Sequence, residues 1–364
     1  MTFDAGAIAR AFQFEGQFLE AQPYGNGHIN DTYRVLMRDQ DIDRRYILQR
    51  INHDIFKQPI AVMENIQRIT DHLRQKVGAM GLDTGRHALK LIPTTSGDLY
   101  YQDEAGNVWR AYHFIEQATS FDVVESPEQA FEVGKAFGFF QQQLVDLTGP
   151  RLHETIPDFH NTPKRFQTLR AAIEADAFNR AKTAQADIEF ALQQEAMVHV
   201  LMDLQQQDLI PERVTHNDTK INNVMLDDQT GQGLCVVDLD TVMPGLALYD
   251  FGDMVRSATC FAAEDEQDLS KVKMEMPIFE ALTDGYLATA GEFLNETEKA
   301  HLAFSGKLIT FEIGIRFLTD YLTGDTYFKI HREGHNLDRA RSQFALVRSI
   351  AEQEKAMEAL IRRF

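Results

Sequence analysis

Residues 215–226, Thr-His-Asn-Asp-Thr-Lys-Ile-Asn-Asn-Val-Met-Leu, constrain this chain more than any other stretch of its 364 residues. They set His216, Asp218 and Asn223 in an H-x-D-x-x-x-x-N array, with the apolar pieces Val224-Met-Leu226 and Leu234-Cys-Val-Val237 close behind. Asp238 ends the second piece, and Tyr249-Asp-Phe-Gly-Asp253 follows. A carboxylate near an acceptor hydroxyl, then two oxygen ligands for a hard cation, is the order that phosphoryl transfer from ATP requires.

The hydrophobic pattern divides the chain around this loop. Up to about Glu116 it reads as strand-rich. Asp31–Met37 and Arg44–Ile51 suggest a hairpin, and Leu89–Pro93, Leu99–Gln102 and Val108–Ile115 three further strands. Between them Ile60, Met63, Ile66, Ile69, Leu73 and Val77 recur at helical spacing, with Pro59 suited to the first turn. After Gln117 the pattern turns helical, over Glu128–Leu147, Asp187–Gln207, Met274–Leu287, Glu296–Thr323 and Ala345–Phe364. The expected organisation is α+β and bilobal, with a small antiparallel-β N-lobe over residues 1–117 and a larger helical C-lobe over 118–364.

Composition narrows the class of partner. The net charge is −19, so nucleic acid and anionic membrane are not expected partners, and any ATP must be held by local cations. The two cysteines have no metal-binding spacing and read as reduced thiols. The first residues lack a basic stretch followed by an apolar core, and no apolar run nears the ~20 residues of a bilayer span, so a cytoplasmic protein is expected. The pattern leaves the oligomeric state open, with a monomer sufficient for the chemistry.

Several residues carry candidate roles. Asp218 is the candidate base, Asn223 and Asp238 the candidate magnesium ligands, and Lys220 a cation for the transferred phosphoryl group. Taken singly, Asp218 and Asn223 also read as turn residues, and Lys220 as a solvated lysine. His216 and Asp250 read as braces of the loop. Upstream, Tyr24-Gly-Asn-Gly-His-Ile-Asn-Asp-Thr-Tyr33 offers Gly25, Gly27 and Asn30 to the nucleotide phosphates, although G-x-G is common in ordinary turns. The lysine that kinases carry on their third strand is missing: Tyr46-Ile-Leu-Gln-Arg50 offers Gln49 and Arg50, with Glu64 as an ion-pair partner for Arg50. Arg316, Asp320 and Tyr327 are polar groups in and after an apolar helix, able to face a polyol or simply to form a solvated edge.

These segments resemble the aminoglycoside phosphotransferase and choline kinase superfamily, and within it the N-acetylhexosamine 1-kinases. The likeness rests on His216-Asn-Asp-Thr-Lys-Ile-Asn-Asn223 and Val237-Asp-Leu-Asp-Thr-Val-Met-Pro-Gly245, with Pro23–Asn30, Arg45-Tyr-Ile-Leu-Gln49, Ile92–Gly97 and Arg316-Phe-Leu-Thr-Asp-Tyr321. The resemblance implies a protein-kinase-like fold and ATP- and magnesium-dependent phosphorylation of the anomeric hydroxyl of N-acetylglucosamine or N-acetylgalactosamine, in amino-sugar salvage. It further implies His28, Thr241, Arg316 and Tyr327 as sugar contacts beside Asp218. Other acceptors of the superfamily (homoserine, an amino alcohol, another sugar) and an inactive nucleotide-binding protein are the alternatives. A protein kinase is disfavoured, since Asp238 and Asp250 leave no room for an activation segment.

Overall fold

The computed structural model describes residues 3–25 and 29–364, so Gly27 and His28 lie outside the described residues. Its N-terminal part is a five-stranded antiparallel sheet of β1 (Gln17–Pro23), β2 (Asp31–Asp39), β3 (Ile42–Arg50), β4 (Tyr101–Gln102) and β5 (Val108–His113), in the spatial order β1-β2-β3-β5-β4. Strand β1 was not expected: it is half exposed, ends in proline, and shows no apolar alternation. It makes the glycine-bearing segment 24–30 a connection between two paired strands, Pro23 facing Tyr33. The strand expected over Leu89–Pro93 is reduced to an isolated bridge from Leu91 to Tyr112.

Alternation along the strands gives the sheet two unlike faces. Val35, Met37, Tyr46, Leu48, Trp109 and Ala111 point to one face, where helix α1 (Ala5–Ala9) contributes Ile8 and Ala9. Thr32, Gln49 and Arg110 occupy the other, because β2 pairs Thr32 with Gln49 and β5 pairs Arg110 with Gln49. That second face looks toward the helical part of the molecule.

Helix α2 (Pro59–Ala79) begins at Pro59 as the sequence indicates and buries Val62, Met63, Ile66, Ile69, Leu73 and Val77. These side chains join the core of the helical part and not that of the sheet. The buried Asn65 fixes the joint: its amide donates to the carbonyls of His153 (2.8 Å) and Val242 (3.2 Å) and accepts from the His153 N–H (3.0 Å). A short helix, α3 (Thr84–His87), then leads back to the sheet.

The remainder contains strand β6 (Ala118–Thr119), helices α4 (Pro127–Leu144), α5 (Thr162–Ala175), α6 (Gln185–Gln193) and α7 (Val200–Gln206), and strands β7 (Arg213–Thr215), β8 (Val224–Asp227), β9 (Gly233–Val236) and β10 (Met243–Gly245). Helices α8 (Ala247–Ala258), α9 (Met276–Ala290), α10 (Glu296–Ala300), α11 (Leu302–Leu322) and α12 (His335–Ile361) complete it. The helix expected over Asp187–Gln207 is broken in two, that over Glu296–Thr323 is interrupted at His301, and the last one starts ten residues earlier than Ala345. Tyr249–Asp253 lies within α8. Helices α4 and α9 meet backbone to backbone: a Cβ at Gly285 would lie 1.9 Å from the Phe131 carbonyl oxygen, and one at Gly134 2.2 Å from that of Leu282. The two small sheets, β6-β8-β9 and β10-β7, hold the 216–223 loop between β7 and β8.

Candidate active site

The 216–223 loop leaves β7 and returns into β8, and its backbone is fixed from below by α8. Asp250, fully buried, accepts the His216 N–H on one oxygen (2.8 Å) and the Asn217 N–H on the other (2.6 Å). Gln141 of α4 donates to the same carboxylate (2.6 Å), and the Thr219 hydroxyl donates to the Asp250 carbonyl (2.6 Å). Burial pushes the Asp250 carboxyl above its ordinary value, while His216 and these N–H donors oppose the shift. His216 bridges loop and strand end: Nε2 lies 2.9 Å from the Val237 carbonyl, so it donates there, and Nδ1 accepts the Asp218 N–H at 3.4 Å. Phe137 and Phe140 lie edge-on to its ring. Both residues brace the loop, as expected from their places in the sequence.

Asp218 is thereby presented with its carboxylate partly open to solvent. One oxygen lies 2.8 Å from Lys220 Nζ, and the other accepts from Asn223 Nδ2 at 3.2 Å. Asn223 Nδ2 also donates to the Asp218 carbonyl (2.8 Å), which leaves the Asn223 amide oxygen to face another partner. Burial alone would raise the Asp218 carboxyl, but Lys220, with Arg256 farther off, holds it below the usual range. Asp238 follows at the end of β9 in a left-handed conformation (φ 58°), one that a non-glycine residue adopts at a cost of order 1 kcal/mol or more. Its carboxyl is pushed up to about 6 by burial and by the neighbouring Asp240 and Asp218. An acid raised by other acids, with an amide oxygen nearby, suits a hard divalent cation, whose charge would relieve the repulsion. Among the described residues no three His, Cys, Asp or Glu side chains gather to hold a metal, so such an ion would take its remaining ligands from phosphate and water.

The sheet side departs from expectation. Arg50 and Glu64 do not pair: the Arg50 guanidinium binds Asp31 and Asn107, whereas Glu64 lies 2.6 Å from His153 Nε2. The physical reason is the strand period, since Arg50 and Gln49 are adjacent and must face opposite sides of the sheet. Gln49, on the side of the 216–223 loop, donates to the Thr32 hydroxyl (2.9 Å) and accepts from Arg110 Nε (3.0 Å). Arg110 in turn forms an ion pair with Asp240, both almost fully buried (1% and 2% exposed). Asn30 donates to the second Asp240 oxygen and accepts the Asn52 N–H (3.0 Å). Arg110 and Asp240 were not anticipated. A lone arginine in an apolar strand and the second acid of Asp238-Leu-Asp240 were the available signals. Gly25 keeps a left-handed conformation (φ 77°) with open space around it.

On the other flank, the Arg316 guanidinium lies over the rings of Phe159, Tyr327 and Phe328, at 5.4, 5.8 and 5.7 Å. Arg165 adds a second cation, and its Nε is a buried donor with no hydrogen-bond partner among the described residues. Asp320 is a loop anchor and does not face a ligand: it accepts the N–H groups of Thr326, Tyr327 and Phe328, all at 2.9 Å. Thr241 is buried and donates to the His216 carbonyl (2.7 Å). This flank connects to the loop through His160, whose ring nitrogens lie 2.9 Å from Glu312 Oε1 and 3.0 Å from the Asn217 carbonyl oxygen. Thr162 donates to the other Glu312 oxygen (2.5 Å).

Three solved structures share this architecture across most of their length. A microcompartment-associated aminopropanol kinase aligns over 98% of this chain and 98% of its own, with a TM-score of 0.64 and 17% identity. A spectinomycin phosphotransferase in complex with ADP and spectinomycin gives 0.51 at 16% identity, covering 93% of this chain and 92% of that one. Choline kinase from Cryptosporidium parvum gives 0.55 at 12% identity, with coverage of 93% and 91%. At such identities the likeness is one of fold. Residues 20–282, from within β1 into the first half of α9, match the sequence profile of the phosphotransferase enzyme family (APH), and that span takes in nearly all of the sheet, the 216–223 loop and Asp238 together. The chain belongs to this phosphotransferase family.

Proposed function

We propose that the chain is an ATP- and magnesium-dependent sugar kinase that phosphorylates the anomeric hydroxyl of N-acetylglucosamine or N-acetylgalactosamine, giving the 1-phosphate and ADP. Residues 1–117 take the nucleotide and residues 118–364 the sugar. The observation that carries the kinase reading is the Asp218–Asn223 pair beside Asp238. The carboxylate is held by the amide nitrogen, and the amide oxygen and the second acid are left for a cation. Magnesium, bound there with the nucleotide, would neutralise charge on the phosphates.

Asp218 orients the acceptor hydroxyl and takes its proton as the new P–O bond forms. Its lowered pKa keeps it ionised at neutral pH, and the anomeric hydroxyl is more acidic than other sugar hydroxyls, so a weak base suffices. Lys220, now on Asp218, is placed to pass to the transferred phosphoryl oxygens, releasing the carboxylate for the acceptor. Thr241, beneath His216, stiffens the loop.

The relatives' names speak of a choline kinase and an aminopropanol kinase, and a different acceptor is therefore the rival reading. The charge on the acceptor flank separates the two. Burial, and then the nearby Arg316, disfavour the charge on Arg165, and a further cation brought against these two would be repelled. Their surroundings favour a neutral polyol or an anion, with Tyr327 and Phe159 offering ring faces to a sugar. An acceptor screen for magnesium-dependent ADP release tests this. Turnover with an N-acetylhexosamine, and loss of its reducing-end reactivity, is the expected result; turnover confined to choline, an amino alcohol or homoserine refutes it.

A further inference from the structure

The third strand carries no lysine, yet a cation stands where one is needed. Gln49 occupies the β3 position facing the 216–223 loop, and its neutral amide cannot offset phosphate charge. It accepts instead from Arg110 Nε at 3.0 Å, its cross-strand neighbour on β5. The guanidinium reaches from there to Asp240, two residues past Asp238, and lies close enough to both acids for each to stabilise its charge. Asn30, at the end of the β1–β2 connection, binds the other oxygen of Asp240. Loop end, cation and the acidic strand end thus converge on one point.

We propose that Arg110 is the residue that grips the α- and β-phosphates of the nucleotide, with Gln49 as the residue that positions it and Asp240 as its counter-ion. The inference rests on the ATP-dependent reading above. Two of the five guanidinium N–H groups are used by Gln49 and Asp240, and the planar fork suits phosphate oxygens. Three acids, Asp218, Asp238 and Asp240, repel a polyphosphate unless a cation lies on the sheet side, and Lys220 and Arg256 lie on the Asp218 side. A merely structural ion pair explains the geometry less well, because burying an arginine and an aspartate together contributes little net stability over an apolar pair. Phosphate oxygens enter from the Asn30 side, replacing the Asn30–Asp240 contact.

The test measures binding of adenosine, ADP and ATP to the whole chain by calorimetry, with a thermal melt of each variant to show that it is folded. Arg110→Lys is the conservative replacement. Arg110→Gln combined with Asp240→Asn removes both charges together and so avoids leaving one buried and unpaired. The double variant is expected to bind adenosine as the wild type does and ADP and ATP about 10- to 100-fold more weakly, the loss of one charge-assisted contact. Asp240→Asn alone should keep most of the preference for ADP over adenosine, and Arg110→Lys part of it. Equal weakening of all three ligands would make Arg110 a structural latch and overturn the assignment. So would loss of the preference in Arg50→Gln but not in the Arg110 variants, or a loss in Asp240→Asn equal to that of the double variant. A wild-type chain that binds no adenine nucleotide overturns the ATP reading itself, a result distinct from these.

Discussion

Replacing Glu312 by Gln probes how the acceptor flank holds the catalytic loop. Both ring nitrogens of His160 face acceptors, the Glu312 carboxylate and the Asn217 carbonyl, so both must donate and the ring is an imidazolium. Burial pushes its pKa down, but Glu312 and the Asn217 carbonyl outweigh burial and raise it above 6.5; Glu312, despite its own burial, is lowered by His160 and Thr162. Asp253 adds to the field on the ring and Arg316 to that on the carboxylate, while Tyr249 packs on the ring at 5.1 Å. A raised histidine contributes stability that is complete below its unfolded pKa and lost as pH climbs through its folded one. The lowered Glu312 contributes above its own unfolded pKa and is lost as pH falls through the folded one. The brace is therefore strongest from just above the usual glutamate range up to about 6.5, and weakens as pH climbs from there through the raised folded pKa of His160.

Breaking a buried pair of this kind costs roughly 3–5 kcal/mol. An unfolding entropy of about 2.1 cal/mol/K per residue over 364 residues then gives a Tm lower by about 4–7 °C. In Glu312→Gln both contributions of Glu312 are lost, and burial, the largest influence on His160, is opposed only by the Asn217 carbonyl and Asp253, so its folded pKa is expected to fall below the unfolded one. Stability of the variant should then rise with pH near 6–7, where that of the wild type begins to decline. Turnover should fall about 10- to 100-fold, with KM for ATP little changed, because the Asn217–Asp218 peptide loosens. Thermal melts across pH 5.5–8.5, paired with initial rates, read both effects. A Tm within about 1 °C of wild type, or an unchanged sign of the pH slope, refutes the account.

Asp218→Asn should lower turnover by about 10²–10⁴-fold while ATP affinity, measured by calorimetry, stays within about threefold. Unchanged turnover would remove Asp218 from the role of base. Asp250→Asn turns an amide nitrogen toward backbone N–H donors that now meet a carboxylate, at about 2–4 kcal/mol and with a lower kcat; a Tm equal to wild type would contradict this. Gly285→Ala places a methyl group 1.9 Å from the Phe131 carbonyl oxygen and should destabilise the α4–α9 pair by at least about 1–3 kcal/mol in a denaturant titration.

What could be read from the sequence was what local chemistry writes. The 216–223 loop declares its roles through residue type and spacing, and β2, β3, α2 and α4 follow from alternation and helical period. Strand β1 escaped because an exposed edge strand needs no apolar alternation. Helix α8 escaped for the opposite reason. It is buried nearly all round, and its polar stripe of Asp250, Asp253 and Arg256 points into the molecule, so the Tyr249–Asp253 segment read as part of a loop and not as a helix. The Arg110–Asp240 and His160–Glu312 pairs join residues 130 and 152 positions apart, and no window of sequence contains both partners. Arg50 shows the converse error: its charge suggested a role that the parity of its strand position, one residue beyond Gln49, directs to the opposite face.

The anchoring of α2 has a consequence for how such an enzyme starts work. In protein kinases the corresponding helix must be brought into position before phosphoryl transfer begins. Here Asn65 ties α2 through three hydrogen bonds to the backbone of His153 and Val242, and Lys76 reaches Asp146 at 2.5 Å. Swinging the helix would strand a buried amide, which sets a high barrier against an inactive arrangement. Progress curves should therefore be linear from mixing, with no lag and no dependence on preincubation.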